Sequence, residues 1–282
     1  MTTTTEVTNT ANAALPLGLI GCGNMGSALA RGILNNATLS KHFPLLVYDR
    51  NPEKMAALQE LGAAPCFSMQ EVAEKSQYMI LAVKPAQMFG VLQTIKAYVT
   101  MEHVAISLAV GVTIAALDRG VERACAVVRL MPNTLVAAGH GHFGLCLDDP
   151  DLQDKQKKIV RYLFAYLGEV VELPENKMNA YGALAGCGPA YMYYMAEGLV
   201  DAGVNMGLSR AAARGIVLSL MEGSALLAKQ TGQHISILRE EVTSPGGTTI
   251  AATTSFDTAG VRGQLIQGVL AAFEKGKEFE QN

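Results

Sequence analysis

The stretch LGLIGCGNMGSALARG, residues 17–32, decides how the whole chain is interpreted. The apolar run at residues 15–20 predicts a buried strand, and the pattern from residue 25 onward predicts a helix. The turn between them reads GCGNMG, and its spacing matches the G-x-G-x-x-G pattern. A strand, this turn and a helix in succession are the context in which the pattern indicates a dinucleotide site.

Each glycine of the turn has a physical role in such a site. Gly21 permits the tight turn, Gly23 lets a pyrophosphate approach the backbone, and Gly26 lets the helix pack closely on the strand. The helix N-terminus then presents free N–H groups and partial positive charge to the phosphates. The alternative interpretation is a glycine-rich strand–helix turn that binds nothing.

The composition excludes several classes of protein. The chain has 282 residues, of which 50% are hydrophobic and 17% charged, so it can bury a sizeable core in one or two domains. A formal net charge of −3 without a basic run argues against nucleic acid as a partner. No apolar run approaches the roughly 20 residues that cross a bilayer, so we expect no membrane partner.

The termini and the metal-ligating residue types indicate a cytoplasmic protein without a metal. Residues 1–14 are rich in Thr and Ala, match neither a signal nor a transit peptide, and predict a disordered tail. The five scattered cysteines form no C-x-x-C pair and indicate reduced thiols. His140 and His142 would share a strand face, but no third ligand lies near them, so we predict no metal site.

Strands and helices alternate along the first part of the chain. This pattern predicts an α/β fold with a doubly wound parallel sheet. The pattern changes near Leu173–Pro174, after which only helices are predicted. We therefore predict a dinucleotide-binding domain at 15–173 and an all-α domain at 174–282. The predicted strands after the first are 44–49, 63–67, 77–83, 103–109, 124–130 and 169–173; the predicted late helices are 177–185, 189–203, 210–231, 235–241 and 261–281.

The predicted C-terminal helices are rich in Ala, Gly and Met, and several are apolar on all sides. Such helices must be buried, and a domain of this size can hardly bury them alone. We expect a second subunit to cover them. Glu197 and Asp201 share a face of one of these helices; a polar pair at the subunit interface is favoured over a catalytic pair.

The end of the second predicted strand carries Asp49 followed by Arg50. An acidic residue there accepts hydrogen bonds from the ribose hydroxyls of NAD, whereas a nearby Arg accommodates the 2′-phosphate of NADP. Both types are present, so the sequence leaves the cofactor open. In another interpretation Asp49 only caps the turn.

Further candidates follow the next strands, at the carboxyl edge where open α/β sheets bind ligands. Lys84 either lies beside the cofactor or is a solvated lysine at a strand end. Asn133 carries an amide suited to a nicotinamide carboxamide or a substrate carboxylate, although Asn after Pro is also common in plain turns.

The second unusual stretch is TSPGGTT, residues 243–249. Two glycines and several hydroxyls that lead into a helix predict a carboxylate-binding nest; the alternative is an ordinary turn with a Thr cap. No His–carboxylate, Ser–His or metal set accompanies these motifs in the sequence. Such a chain suits a substrate that already accepts a hydride readily, such as an imine protonated in solution.

Five motifs in order resemble the pyrroline-5-carboxylate reductase family: IGCGNMG, AVKP at 82–85, MPNT at 131–134, GPAY at 188–191 and SPGGTT at 244–249. The resemblance implies a Rossmann-like doubly wound sheet, a C-terminal all-α dimerisation domain that interlocks with its twin, and active sites at the dimer interface. It also implies a ring of dimers in some members. The implied reaction is the reduction of 1-pyrroline-5-carboxylate to L-proline with NADPH or NADH, the last step of proline biosynthesis.

The motifs and the resemblance together define the candidate site residues. Thr249 is the candidate catalytic residue, which would hydrogen-bond the ring nitrogen of the substrate. The candidate substrate-binding residues are Ser244, Gly246, Gly247, Thr248 and Thr249. The candidate cofactor-binding residues are Gly21, Cys22, Gly23, Asn24, Met25, Gly26, Arg50, Ser68, Val83, Lys84, Val110 and Asn133.

The chain departs from the family pattern at several positions. Ala185 stands where the family often has Ser, and Asp49–Arg50 stand where small uncharged residues are common. Related hydroxyacid dehydrogenases carry a catalytic Lys with Asn four residues later, whereas here Lys177 is followed by Tyr181. This broken pattern argues against hydroxyacid oxidation. The alternatives are a reductase of another cyclic imine or a 2-hydroxy acid, and a protein that senses NADP without turnover.

Overall fold

The structure, a computed structural model, describes residues 14–281. The tail predicted at residues 1–14 lies outside this range except for Ala14, which is exposed.

Within the described residues, eight strands form one sheet in the order β3-β2-β1-β4-β5-β6-β7-β8. Neighbouring strands are parallel except β6 and β7, which are antiparallel. The predicted parallel arrangement is thus confirmed for all but one pair. The strands are β1 Leu17–Ile20, β2 Leu45–Tyr48, β3 Ala64–Pro65, β4 Tyr78–Leu81, β5 Val104–Ser107, β6 Ala126–Pro132, β7 Gly141–Cys146 and β8 Gly168–Glu172.

Helices cover both faces of this sheet, as the doubly wound prediction requires. Alternate side chains of each central strand enter different apolar clusters: Leu19 and Ile80 pack in one, Ile20 and Met79 in the other. Burial on both faces explains why these strands are continuous apolar runs. The helices of this region are α1 Asn24–Leu34, α2 Ala37–His42, α3 Glu53–Gln59, α4 Met69–Lys75, α5 Pro85–Ile95, α6 Ile114–Val121 and α7 Asp154–Ala165.

Strand β7 was absent from the sequence prediction, and tertiary packing explains why. Its sequence GHFGLC carries two glycines, which weaken a strand signal. A Cβ at Gly141 would lie 2.8 Å from the Leu167 carbonyl oxygen, and one at Gly144 would lie 2.4 Å from the Tyr181 ring. Glycine is therefore required at both positions, because residues that are distant in sequence lie too close for a side chain.

Helix α2 was also not predicted, although its cap is local. The Asn36 side chain accepts hydrogen bonds from the N–H groups of Thr38 and Leu39. Six residues are too few to show a clear apolar period.

From residue 178 onward the described chain is helical. The C-terminal all-α prediction is confirmed, and a helix begins at Thr248, at the end of the predicted SPGGTT loop. The first helix, α8 Met178–Tyr181, continues into a π-helical turn at Gly182–Gly186. It is followed by α9 Gly188–Asn205, α10 Arg210–Thr231, α11 Ile235–Glu241, α12 Thr248–Thr258 and α13 Val261–Gln281.

The chain divides into two compact units. Among the described residues, the first contains 14–187 together with 272–281, and the second contains Gly188–Ala271. The end of α13 therefore belongs to the sheet-containing unit. The predicted boundary at Leu173–Pro174 separates the sheet-containing part from the all-helical part. The two units are instead defined by contacts in space, so this boundary stays a prediction.

The second unit leaves large apolar side chains in water when it is alone. Tyr194 and Met206 are each 77% exposed, and Ile235 is 76% exposed. Helix α10 is long and apolar enough to cross a membrane by length and composition alone, contrary to the expectation that no segment comes close. Core helices of soluble proteins pass the same test, so this observation by itself does not assign a membrane partner.

One buried charge ties the end of α13 to the sheet. Arg129 of β6 is 2% exposed, and its Nη1 lies 2.8 Å from Glu175 Oε1 and 3.3 Å from Glu280 Oε1. Glu175 Oε1 also accepts a hydrogen bond from the Ile114 N–H. A buried guanidinium needs such partners, because an unpaired charge away from water is costly.

We expect Glu280→Gln to lower the free energy of unfolding by about 1–2 kcal/mol. The loss is below the about 3–5 kcal/mol of a fully broken buried pair, because Arg129 keeps Glu175. Urea denaturation followed by circular dichroism, at one protein concentration, measures it. The matched control is Glu274→Gln on the same helix, where an exposed pair with Lys277 contributes little. Equal effects of the two variants would contradict the assignment.

Candidate functional site

The turn after β1 can be built only with glycine at its first position. Gly21 has a φ of +103°, and its N–H donates to the Tyr48 carbonyl at 2.8 Å. A Cβ there would lie 2.6 Å from the Ala82 carbonyl oxygen. This turn therefore brings the ends of β1, β2 and β4 together.

The other two glycines have opposite surroundings. A Cβ at Gly26 would lie 2.0 Å from the Gly21 carbonyl oxygen, so α1 packs against the turn as predicted. At Gly23 no atom lies within 4 Å of that position. Gly23 is also the N-cap of α1, and no side chain caps the helix. The first N–H groups of α1, among them those of Asn24 and Met25, thus face open space beside a glycine.

Asp49 holds the glycine turn in place. Its Oδ2 accepts a hydrogen bond from the Cys22 N–H at 2.8 Å, and its Oδ1 accepts one from the Asn51 N–H at 2.9 Å. These bonds support the interpretation of Asp49 as a cap. Burial, followed by the Asp49 charge, raises the pKa of the Cys22 thiol to about 12, so this cysteine is not a thiolate at neutral pH.

Arg50, next to Asp49, is exposed and has no ion pair among the described residues. Ser68 caps α4, where its hydroxyl accepts from the Glu71 N–H at 3.1 Å. The spacing of Ser68 and Glu71 matches a capping box, but Glu71 accepts from the Phe67 N–H and not from the Ser68 N–H. The pKa of Glu71 is held below its usual value, mainly by the hydrogen-bonded ion pair with Lys75 and secondly by the bond from the Phe67 N–H.

A cavity of about 490 Å³ lies at the carboxyl edge of the sheet. All of its lining residues belong to the first unit. Three predicted cofactor residues line it: Met25 of α1, Val83 after β4 and Val110 after β5. The opposite side is formed by the π-helical turn and the end of α13. Lys84 is exposed at the N-cap of α5 and is not among the lining residues.

Asn133 has its amide occupied by the protein itself. The residue is 3% exposed; its Oδ1 accepts from the N–H groups of Leu135 and His142, and its Nδ2 donates to the Ala185 carbonyl. This geometry joins β6, β7 and the π-helical turn. It gives Asn133 a structural role, and direct contact with a cofactor stays a prediction.

Several cavity residues were missed at the sequence level. Asn179, Lys275 and Phe279 all line the cavity, although no motif contains them. Phe279 packs so closely on the loop after β5 that a Cβ at Gly111 would lie 2.3 Å from the Phe279 Cβ. Gly111 and Phe279 are 168 residues apart, so no local sequence pattern predicts their contact.

The SPGGTT loop lies in the second unit and forms a tight turn. The Gly247 N–H donates to the Ser244 carbonyl at 3.1 Å, and Gly246 has a φ of +70°. Pro and Gly occupy the positions that a type II turn favours. Gly247 is the N-cap of α12 without a side-chain cap.

This turn leaves donors unused at the start of α12. The first intrahelical bond to Gly247 comes from the Ala251 N–H, so the N–H groups of Thr248, Thr249 and Ile250 have no partner within the helix. The Thr249 hydroxyl has no hydrogen bond within the part of the chain that the structure describes. The loop is therefore equipped to bind an anion. Across residues 14–281, no group of three His, Cys, Asp or Glu side chains is arranged to hold a metal ion.

Two family models match the chain. Residues 175–279 match the model for pyrroline-5-carboxylate reductase dimerisation, and residues 16–111 match that for NADP oxidoreductase, coenzyme F420-dependent. The first match supports the predicted homo-oligomer. The exposed apolar side chains of the second unit fall inside the matched range.

Curated relatives and solved structures agree with the family models. The pyrroline-5-carboxylate reductases of Synechocystis and Corynebacterium melassecola are 34% and 31% identical, and the alignments cover 94% and 93% of this chain and 98% of each relative. The Plasmodium falciparum pyrroline carboxylate reductase with NADP bound has a TM-score of 0.87 at 33% identity, over 96% of this chain and 99% of that one. The chain belongs to the pyrroline-5-carboxylate reductase family.

Proposed function

We propose that this protein reduces 1-pyrroline-5-carboxylate to L-proline with NADPH. The observation that carries the proposal is the continuity between the glycine turn and the cavity. Met25, on the first turn of α1, lines the same cavity as the ends of β4, β5 and β6. A dinucleotide bound at this turn extends along the carboxyl edge of the sheet. The curated relatives are named pyrroline-5-carboxylate reductases, which supports this substrate.

The residues present fit a dinucleotide phosphate. The free space at Gly23 and the uncapped N-terminus of α1 suit a pyrophosphate. Arg50 is free to pair with a 2′-phosphate, whereas Asp49 already uses both carboxylate oxygens within the turn. These observations favour NADPH over NADH. Ser68 and Lys84 complete the proposed cofactor set at the ends of β3 and β4.

When bound, the nicotinamide cofactor supplies the hydride. The chain's own part is to bind, to orient and to keep water away. The Ser244–Gly247 turn and the N–H groups of Thr248 and Thr249 would hold the substrate carboxylate. The Thr249 hydroxyl would accept a hydrogen bond from the protonated ring nitrogen. Because a threonine hydroxyl is too weak an acid to protonate the imine, the proton comes from solvent before binding.

We also propose that each active site combines the cavity of one subunit with the loop of its partner, and that the dimers assemble into a ring. The exposed apolar faces then meet another copy of the chain rather than a membrane. Nucleic acid has no part in this proposal, since the net charge is −3. A cytoplasmic location suits the free cysteines. Light scattering tests the ring through a particle mass above that of a dimer.

The reaction is tested by mixing the purified protein with NADPH and 1-pyrroline-5-carboxylate and following the absorbance of the reduced nicotinamide. Substrate-dependent oxidation of NADPH with formation of proline is expected. Oxidation of NADPH by another cyclic imine, or reduction of NADP by a 2-hydroxy acid, without turnover of 1-pyrroline-5-carboxylate, would replace the proposal. Binding of NADPH without any turnover would favour the sensor alternative.

We expect Gly23→Ala to weaken NADPH binding about tenfold or more, because the methyl group would occupy the approach of the pyrophosphate. The fold should survive, since φ is −71° and the position is open. Calorimetric titration with NADP and a thermal melt measure the two effects. Gly90→Ala, at an equally open glycine of α5, is the matched control and should bind normally. Normal binding by Gly23→Ala would move the site elsewhere.

We expect Arg50→Ala to weaken NADPH by about tenfold or more and to leave NADH nearly unchanged. A charge-assisted hydrogen bond to phosphate contributes roughly 1.5–3 kcal/mol, and NADH lacks that phosphate. The measurement is the KM of each cofactor. Arg119→Ala, which removes an exposed arginine of α6, is the control. A parallel loss with both cofactors would show that Arg50 does not distinguish them.

We expect Thr249→Val to lower kcat/KM for 1-pyrroline-5-carboxylate by roughly ten- to a hundredfold, the loss of one hydrogen bond to a charged group. Cofactor affinity should barely change. Steady-state kinetics beside a cofactor titration separates the two effects. Thr254→Val makes the same change at an exposed position of α12 and should retain activity. A Thr249→Val protein with full kcat/KM would remove Thr249 from the site.

A further inference from the structure

The side-chain oxygen of Asn179 is buried without a hydrogen-bond partner among the described residues. Asn179 is 8% exposed, and its Oδ1 has no hydrogen bond within the described residues. Buried acceptors of this kind are rare in proteins, because the lost bond to water is not replaced. The same residue lines the cavity at the carboxyl edge of the sheet. A ligand bound in that cavity would supply the missing hydrogen-bond donor.

None of the described residues donates a hydrogen bond to this oxygen. The residue of α13 that faces Asn179 is Gly276; a Cβ there would lie 3.8 Å from Oδ1, and glycine offers no side chain. The other lining side chain with a nitrogen or oxygen atom is Lys275, which pairs with Glu278. The remaining lining is apolar, backbone or sulfur, with Val83, Val110 and Met131 among it.

The backbone that follows Asn179 is also irregular. Helix α8 ends two residues after Asn179, and the chain continues as a π-helical turn at Gly182–Gly186. Such turns occur frequently at functional sites, because they change the direction of the flanking side chains. Gly182 and Gly186 of this turn line the same cavity. The irregular segment thus sets the position of Asn179 at the cavity wall.

The place of the cavity along the sheet identifies the ligand group. Asp49 and Arg50 follow β2, on the side of β1 where the adenosine half of a dinucleotide is read. The cavity lies on the other side of β1, at the ends of β4, β5 and β6. The nicotinamide half therefore enters the cavity, and it carries a primary carboxamide whose N–H groups are donors.

We infer that Asn179 accepts a hydrogen bond from the nicotinamide carboxamide and thereby orients the ring that delivers the hydride. This inference rests on the proposed use of NADPH. An amide oxygen in an apolar lining distinguishes a carboxamide from a group without N–H donors, because an unpaired acceptor is costly there. Asn179 is thus a specificity residue for the cofactor ring and holds its orientation.

The test compares NADP with its acetylpyridine analogue, in which a methyl ketone replaces the carboxamide and the N–H donors are lost. Calorimetric titration should show that Asn179→Leu binds NADP about tenfold more weakly than the parent protein, the loss of one hydrogen bond. The analogue should bind both proteins within about threefold. Asn176→Leu, at an exposed asparagine nearby, is the control and should leave both affinities unchanged.

Two outcomes overturn the inference. In one, Asn179→Leu loses equal affinity for NADP and for the analogue, or loses none. In the other, NADP affinity is unchanged while the KM for 1-pyrroline-5-carboxylate rises, which assigns Asn179 to the substrate. Asn179→Ala repeats the comparison if the Leu variant does not fold. A parent protein that binds no NADP would instead contradict the proposed function, so the two failures are distinguishable.

Discussion

The close approach of α1 to the turn after β1 is the constraint on which the binding region depends. A single methyl group at Gly26 would lie 2.0 Å from the Gly21 carbonyl oxygen, so the two backbones meet with no side chain between them. This contact aims the unbonded N–H groups of α1 at the space beside Gly23. Asp49 then holds the turn through the Cys22 N–H. In the proposed function, this backbone geometry provides the phosphate site without a basic side chain.

The same sheet edge acquires its cavity only when the end of the chain returns to it. Arg129 is buried in β6 and pairs with Glu280 of α13, and Phe279 packs on the loop at Gly111. The cavity wall therefore depends on a buried ion pair as well as on apolar contacts. A buried charge with two partners favours one position of the helix against the sheet, since few other positions would neutralise the Arg129 charge.

The second unit has the opposite character, because its apolar side chains are largely exposed in the single chain. The match to a dimerisation domain explains this exposure, since another subunit buries these faces. The SPGGTT turn leaves its donors unused in the same unit. In the proposed function, assembly therefore completes the active site as well as the hydrophobic core.

The sequence by itself determined the features that depend on neighbouring residues: the strand–turn–helix around Gly21, the change to helices near residue 174 and the family. Glycine spacing, helix caps and apolar periodicity are local, so they can be read without coordinates. Only the tertiary structure decided that the Asn133 amide donates to the Ala185 carbonyl, 52 residues away, and that Arg129 pairs with Glu280, 151 residues away. It also decided that Asn179 faces a cavity without a partner. Hydrogen-bond partners and cavity walls come from segments that folding brings together, and no local pattern encodes them.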